Sequence, residues 1–283
     1  MKLGRRETLA SLAMAPALAR AQDGSVMLRD LARQAAIYLF PLYEMYRVRW
    51  NATLSDANRF RQRLNRFFHV PVLANEHSRA VTTPNNDTLY SSAWLELSGG
   101  PLFLTVPPMG QHYYSYAFMD LFTDNFAYVS HRLNGPAPGP HMIVGPKWQG
   151  DAQSGVTLVR SPTASVWLLG RLLVGGPEDL DAVRALQQRA LLETPDMRNE
   201  RRIVETRELM SQRAIAPAEP VADWPAPNPS QPFDLFDVGL RALGESPLGP
   251  HDLDFVQRLA PLRLRPGFKF DARSFSEPER LAI

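Results

Sequence analysis

Apolar positions along this chain follow two periods. Leu28, Leu31, Ala35, Leu39, Leu42 and Tyr46 recur at three- and four-residue steps, which predicts a helix over residues 26–50. Pro41 falls inside that pattern, and a residue without an amide hydrogen predicts a kink or restart near Phe40. A second helical piece is predicted over about residues 56–68, with Ser55 as its N-cap. After Arg79 the period changes to two. From Thr88 to Leu97, Leu89, Ala93, Leu95 and Leu97 share one face, and Thr88, Tyr90, Ser92, Trp94 and Glu96 share the other.

Gly99, Gly100 and Pro101 break that strand, and Pro107 and Pro108 end the next, residues 102–106. Further strands are predicted over residues 113–119, 126–129, 142–144, 157–160 and 166–174. Short strands punctuated by Gly and Pro, with no crossover helix between them, predict an antiparallel sandwich, jelly roll or barrel over a doubly wound sheet. Gly176, Pro177, Glu178 and Asp179 then mark a helix start, with Leu180, Val183, Leu186 and Leu191 at helical spacing after it. A charged helix is predicted over residues 196–213. Six prolines between Ala216 and Pro232 predict an extended linker, and two further helices follow over residues 233–243 and 253–262. The class is α+β: an antiparallel β-sandwich or jelly-roll-like domain flanked by N- and C-terminal helices. The segments are residues 22–215, a linker at 216–232 and a helical segment at 233–283. The apolar pattern Phe233, Leu235, Phe236, Leu240 and Leu243 predicts a packed segment and leaves homo-oligomer formation through the C-terminal helices open.

The first 21 residues change the charge picture. Lys2, Arg5 and Arg6 precede a short apolar run, Leu9 to Leu18, and Ala19-Arg20-Ala21 has the form of a cleavage site. The pattern predicts a signal peptide removed near Ala21 and export to the periplasm. Arg5-Arg6 with Leu9 resembles a twin-arginine signal, although Thr8 stands where that pattern favours Phe. The run is too short to span a bilayer, so no membrane span is expected. The chain carries a net charge of +2; without the +3 of this segment it is close to −1, and no nucleic-acid partner is expected. There is no cysteine, which excludes disulfides, thiolate nucleophiles and Cys-ligated metal. No serine-hydrolase elbow, phosphate loop or dinucleotide fingerprint occurs, and the six histidines show no zincin spacing. No cofactor and no metal are expected.

Several stretches together resemble a bacterial family catalogued as domain of unknown function 1254. They are Phe40-Pro41-Leu42-Tyr43-Glu44-Met45, Asn65-Arg66-Phe67-Phe68-His69 and, above all, Pro84-Asn85-Asn86-Asp87-Thr88-Leu89-Tyr90-Ser91 with Ala93-Trp94-Leu95-Glu96-Leu97. Tyr113-Tyr114, Met119-Asp120, Gly145-Pro146 and Gly170-Arg171 continue the likeness. The family pattern favours Asp at the position of Glu96. The resemblance implies a β-rich exported protein with flanking helices and hands over no reaction. Longer relatives are expected to continue into a second β domain, domain of unknown function 1214, where this chain ends.

Candidate chemistry gathers near the Asn85–Asp87 turn. Asp87 is a candidate base or ligand at the mouth of a β domain, with Asn85 and Tyr90 beside it; the competing reading is a turn whose side chains bond the local backbone. Tyr90 and Trp94, Tyr114 and Tyr116, and Phe126 and Tyr128 stand an even number of residues apart, so each pair shares a strand face and could wall a pocket or fill a core. Asp120 and Asp124 could share acid–base work or cap a turn. Arg171 lies on an apolar strand with Trp167, Leu169 and Leu173, and calls for a carboxylate or a ligand anion; Asp87, Asp120 and Glu96 are the candidate partners. The expected function is small-molecule binding in an aromatic-lined pocket of the β domain, with carboxylate and Tyr chemistry by Asp87, Tyr90 and Asp120, and with Asn85, Trp94, Tyr114, Tyr116 and Arg171 as binding residues. The alternative is a non-enzymatic envelope interaction module.

Overall fold

In the computed structural model, residues 5–78, 83–204 and 226–283 are described; for 5–23 and 202–204 this holds for the backbone alone. Residues 1–4 of the expected signal, 205–213 of the expected charged helix and 216–225 of the expected linker therefore lie outside the described residues. The chain divides into two compact units. One comprises residues 1–43, 228–244 and 248–283; the other comprises residues 44–227 and 245–247.

Helix α1, Arg5–Thr53, runs through Pro41 without the expected restart. The buried positions Leu28, Ala35, Leu39, Leu42 and Tyr46 keep one stripe on both sides of the proline, and this side-chain packing outweighs the missing backbone bond. In the helical unit α1 is joined by α5, Asp234–Leu243, α6, Pro250–Arg258, and α7, Glu277–Ala282. Gly239 faces α1 closely: a Cβ there would lie 2.9 Å from Leu39 Cβ. The Tyr38 hydroxyl donates to Asp252 at 2.7 Å, and that of Tyr43 to Asp234 at 2.8 Å. No helix among the described residues is long and apolar enough to cross a membrane.

The helix expected over 56–68 does not form. Asn58 accepts from the amide of Phe60 and donates to the carbonyl of Asn51, while Asn65 takes a left-handed φ of 59° and bonds the backbone of Glu96. Side-chain amides thus capture backbone groups that a helix would need.

The second unit is a two-sheet sandwich. The larger sheet orders β1 (Phe68–Val70), β2 (Thr88–Glu96), β8 (Ser165–Leu173), β4 (Tyr114–Met119) and β5 (Asn125–Ser130), all antiparallel. The smaller orders β7 (Thr157–Arg160), β6 (Pro140–Val144), β3 (Leu102–Thr105) and β9 (Leu191–Glu193). The sheets do not close into a barrel, and β6 and β7 run parallel, so the smaller sheet is mixed and not purely antiparallel. The seven strands expected are present; β1 and β9 are additional three-residue edges. Among the described residues, short helices α2, His131–Asn134, α3, Leu180–Gln188, and α4, Pro195–Val204, complete the unit. Leu89, Leu95, Phe118, Val166, Leu168 and Leu172 of one sheet meet Leu102, Leu104, Ile143 and Leu192 of the other in a common core. Each such buried side chain contributes about 1.5–3 kcal/mol. Gly170 sits under the Tyr116 ring: a Cβ there would lie 2.6 Å from Tyr116 Cε1.

One charged cluster is built into this unit. Arg49, at 1% exposure, donates through Nη2 to Glu96 Oε2 at 3.2 Å and through Nη1 to Glu245 Oε2 at 3.3 Å and to Ser165 Oγ. Ser165 Oγ in turn donates to Glu245 at 2.9 Å, and Glu96 Oε1 accepts from the Ser98 amide. Two carboxylates share one guanidinium, and burial pushes the Glu245 carboxyl above its usual range, with Arg49 opposing and Glu96 adding to the rise. We predict that Arg49→Met lowers unfolding free energy by roughly 3–5 kcal/mol, because two buried carboxylates lose their cation. Glu245→Gln, which keeps hydrogen-bonding capacity and sheds a poorly compensated charge, changes stability by about 1 kcal/mol or less. Denaturant unfolding of both variants checks this; equal losses would contradict it.

A second charged pair joins the β3–β4 loop to the turn after β8. His112 Nδ1 bonds the Met109 carbonyl, and its Nε2 bonds Asp179 Oδ1 at 2.8 Å. The Asp179 bond is the main reason the imidazole pKa lies above its ordinary value. Asp179 is held low, first by the Gly175 amide and then by His112. A raised His pKa stabilises fully below the unfolded value, about 6.5, and the contribution is lost as pH rises through the folded value. Stability measured across neutral to mildly alkaline pH is therefore expected to fall in wild type, and to lose that component of the slope in His112→Gln. An unchanged slope in the variant would overturn the assignment.

Candidate functional site

Strand alternation sorts the candidate residues onto two faces of the larger sheet. Across β1, β2, β8, β4 and β5 the inward row is His69, Ser91, Gly170, Tyr116 and Val129. Tyr116 is fully buried there, and its hydroxyl has no partner among the described residues. Tyr114 lies on the same face and donates to the Gly135 carbonyl at 2.9 Å. Burial raises both phenols, Tyr114 to about 12. His69 accepts or donates at Ser91 Oγ, 2.9 Å away, and desolvation lowers it to about 4, so the ring is neutral at neutral pH. Tyr114 and Tyr116 are core residues on the face opposite to Tyr90, Trp94 and Arg171.

On the outward face, Trp94 and Trp167 stack at 5.4 Å, and Trp167 Nε1 donates to Ser92 Oγ. Trp94 is buried, so it fills space instead of walling a pocket. Phe126 and Tyr128 do not share a face as spacing suggests. A bulge opposite Phe118 and Met119 turns Phe126 onto Phe118, at 6.0 Å, and leaves Tyr128 exposed. Asp120 is buried as a turn cap: its Oδ1 accepts from the amides of Phe122 and Asp124. Asp87 is exposed and accepts from the Thr88 hydroxyl at 2.8 Å, and it forms no ion pair with Arg171. The interior Asp87–Arg171 cluster suggested by their shared neighbourhood is absent because Asp87 precedes the strand and Arg171 points outward. Glu96, the third partner considered for Arg171, binds Arg49.

What the structure does bring together is Tyr90, Arg171 and Ser115. They are cross-strand neighbours on β2, β8 and β4, on the same outward face, with strands about 4.8 Å apart. Arg171 is half-buried on the central strand, and no described residue hydrogen-bonds or pairs with its guanidinium. Tyr90 accepts at its hydroxyl from the Asn85 amide at 3.0 Å, which leaves its own proton free to donate. Ser115 is half-buried with its hydroxyl unpaired among the described residues. Leu173, Tyr113 and Tyr128 stand exposed around this row. Ser115 and Tyr113 escape a reading that looks for charged or paired aromatic residues, and Tyr128 enters it only as the partner of Phe126. Their signal is parity: each lies an even number of residues from an outward neighbour. Among the described residues, no group of three His, Asp or Glu could hold a metal ion.

Residues 64–194 match the family described as "Protein of unknown function (DUF1254)", so the resemblance read from the sequence holds over that segment. The VPA0106 protein of Vibrio parahaemolyticus shares the fold, with a TM-score of 0.67 at 22% identity over 90% of this chain and 55% of that one. The chain thus spans about half the length of that relative. A putative uncharacterized protein from Burkholderia cenocepacia aligns at 13% identity over 66% of this chain and 52% of its own, with a TM-score of 0.31. No curated protein matches.

Proposed function

We propose that this is an exported binding protein for a small molecule with an anionic head and an apolar body, taken on the outward face of the larger sheet. The supporting observation is the half-buried Arg171 guanidinium, without a partner among the described residues, between the Tyr90 and Ser115 hydroxyls. A guanidinium and two hydroxyls in a row offer converging donors to a carboxylate. The exposed Leu173, Tyr113 and Tyr128 offer apolar surface to the rest of the molecule. Binding is favoured over acid–base chemistry because Asp120 is tied into a turn and the Asp87 carboxylate is engaged by the Thr88 hydroxyl. Asn85 takes part indirectly, by fixing the Tyr90 hydroxyl.

Calorimetric titration with octanoate and phenylacetate tests this reading. Saturable binding of at least one is expected, weakened by about ten- to a hundredfold in Arg171→Met, as for the loss of a charged hydrogen bond. Asp87→Asn is expected to leave it unchanged. No saturable binding, or binding that survives Arg171→Met, would remove the proposal. Export rests on the order of residues 1–21: basic, apolar, then small. N-terminal sequencing of periplasmic material is expected to start at or near Gln22, and an intact Met1 there would refute it.

A further inference from the structure

The Arg49 cluster borders a cleft that none of the foregoing uses. The cleft has a volume of about 450 Å3 and is formed by the Gly99–Gly100 turn after β2, the segment from Gly145 to Gln149 after β6, and Glu245. Its lining carries both signs of charge. Glu245 is only 16% exposed, and its distances to the Arg49 guanidinium, 3.3 and 3.4 Å, are long for charge-assisted bonds. Arg49 is shared with Glu96, so the buried cluster holds one more carboxylate than cations. Burial raises the Glu245 pKa, with Arg49 opposing and Glu96 adding to the rise. Lys147, by contrast, is exposed and has no ion-pair partner among the described residues. Leu97, Pro146, Trp148 and Ala164 supply apolar wall between these polar groups.

A simple anion entering here would face the buried carboxylate of Glu245. A simple cation would face the Lys147 ammonium. A molecule bearing both charges satisfies each group and leaves the lining neutral. We propose that this cleft binds a small zwitterion, an amino acid with its ammonium on Glu245 and its carboxylate on Lys147. Glu245 is suited to the buried end, because an incoming ammonium supplies the charge that the single guanidinium does not. Lys147, on a flexible stem, can reach the carboxylate from the rim.

Calorimetry on the full chain decides this with defined probes: glycine, β-alanine, 4-aminobutanoate and 6-aminohexanoate, each beside the matched alkylamine and alkanoate. One amino acid is expected to bind at least about tenfold tighter than either half-molecule. Glu245→Gln and Lys147→Met are each expected to weaken it by about tenfold or more, while Arg171→Met leaves it unchanged. Lys147→Met alters an exposed side chain, so it stays informative if the buried substitution disturbs folding. The proposal fails if no amino acid in the series binds saturably, if an amine or alkanoate binds the Arg171→Met protein as tightly as its parent amino acid does, or if Lys147→Met leaves the affinity intact. Loss of amino-acid binding in Arg171→Met would also overturn it, by assigning the ligand to the outward face.

Discussion

A guanidinium taken out of water must be given back the hydrogen bonds and charge that water supplied. Arg49 receives them from Glu96, Glu245 and Ser165, which lie on β2, on the short segment after α5, and on β8. With Arg49 itself, the cluster draws on four separate stretches of chain, so it fixes how the last turns of α1, two neighbouring strands and residues 245–247 meet. Apolar packing alone would tolerate small slips among these elements. A charge with no alternative partner does not, since any slip leaves it buried and bare. Glu96 is out of reach of Arg171 in any case, since it stands six residues along β2 from Tyr90, the cross-strand neighbour of Arg171.

Local patterns were legible in the sequence and distant pairings were not. The alternation of Leu89, Ala93 and Leu95 against Tyr90, Ser92 and Trp94 is the alternation observed, because strand periodicity is a property of the backbone itself. The α1 stripe was equally readable. Arg49 lies one helical step past Tyr46 on that stripe, and a charge at an apolar position is a visible signal of a buried partner. The partner was not readable: Glu245 is 196 residues away. The segment after Ser55 misled for the opposite reason. Its composition permits a helix, but Asn58 captures the nearby Phe60 amide and Asn65 finds the Glu96 backbone, which only the folded chain brings near.

The candidate site shows the same division. The residue types mark both Tyr90 and Arg171, yet their adjacency depends on the β2–β8 register, and Asp87 is near Tyr90 in sequence without pairing with Arg171. Tyr114 and Tyr116 share a face as their spacing requires, but spacing does not say whether that face meets solvent or the second sheet. The bulge that separates Phe126 from Tyr128 leaves no mark in the residue types on either side.

An unclosed sandwich presents four strand edges, each with backbone groups that could template another chain. Here those edges are cut short. β1 and β9 have three residues each and β7 has four, and Pro71 follows β1 directly. The longer edge, β5, is disturbed by its bulge and turns at once into α2, whose Ser130 and Asn134 side chains take up the local amides. An incoming strand would find only a few registered hydrogen bonds at any edge, too few to offset the entropy of ordering it. The brevity of the outer strands therefore protects the protein against edge-to-edge aggregation.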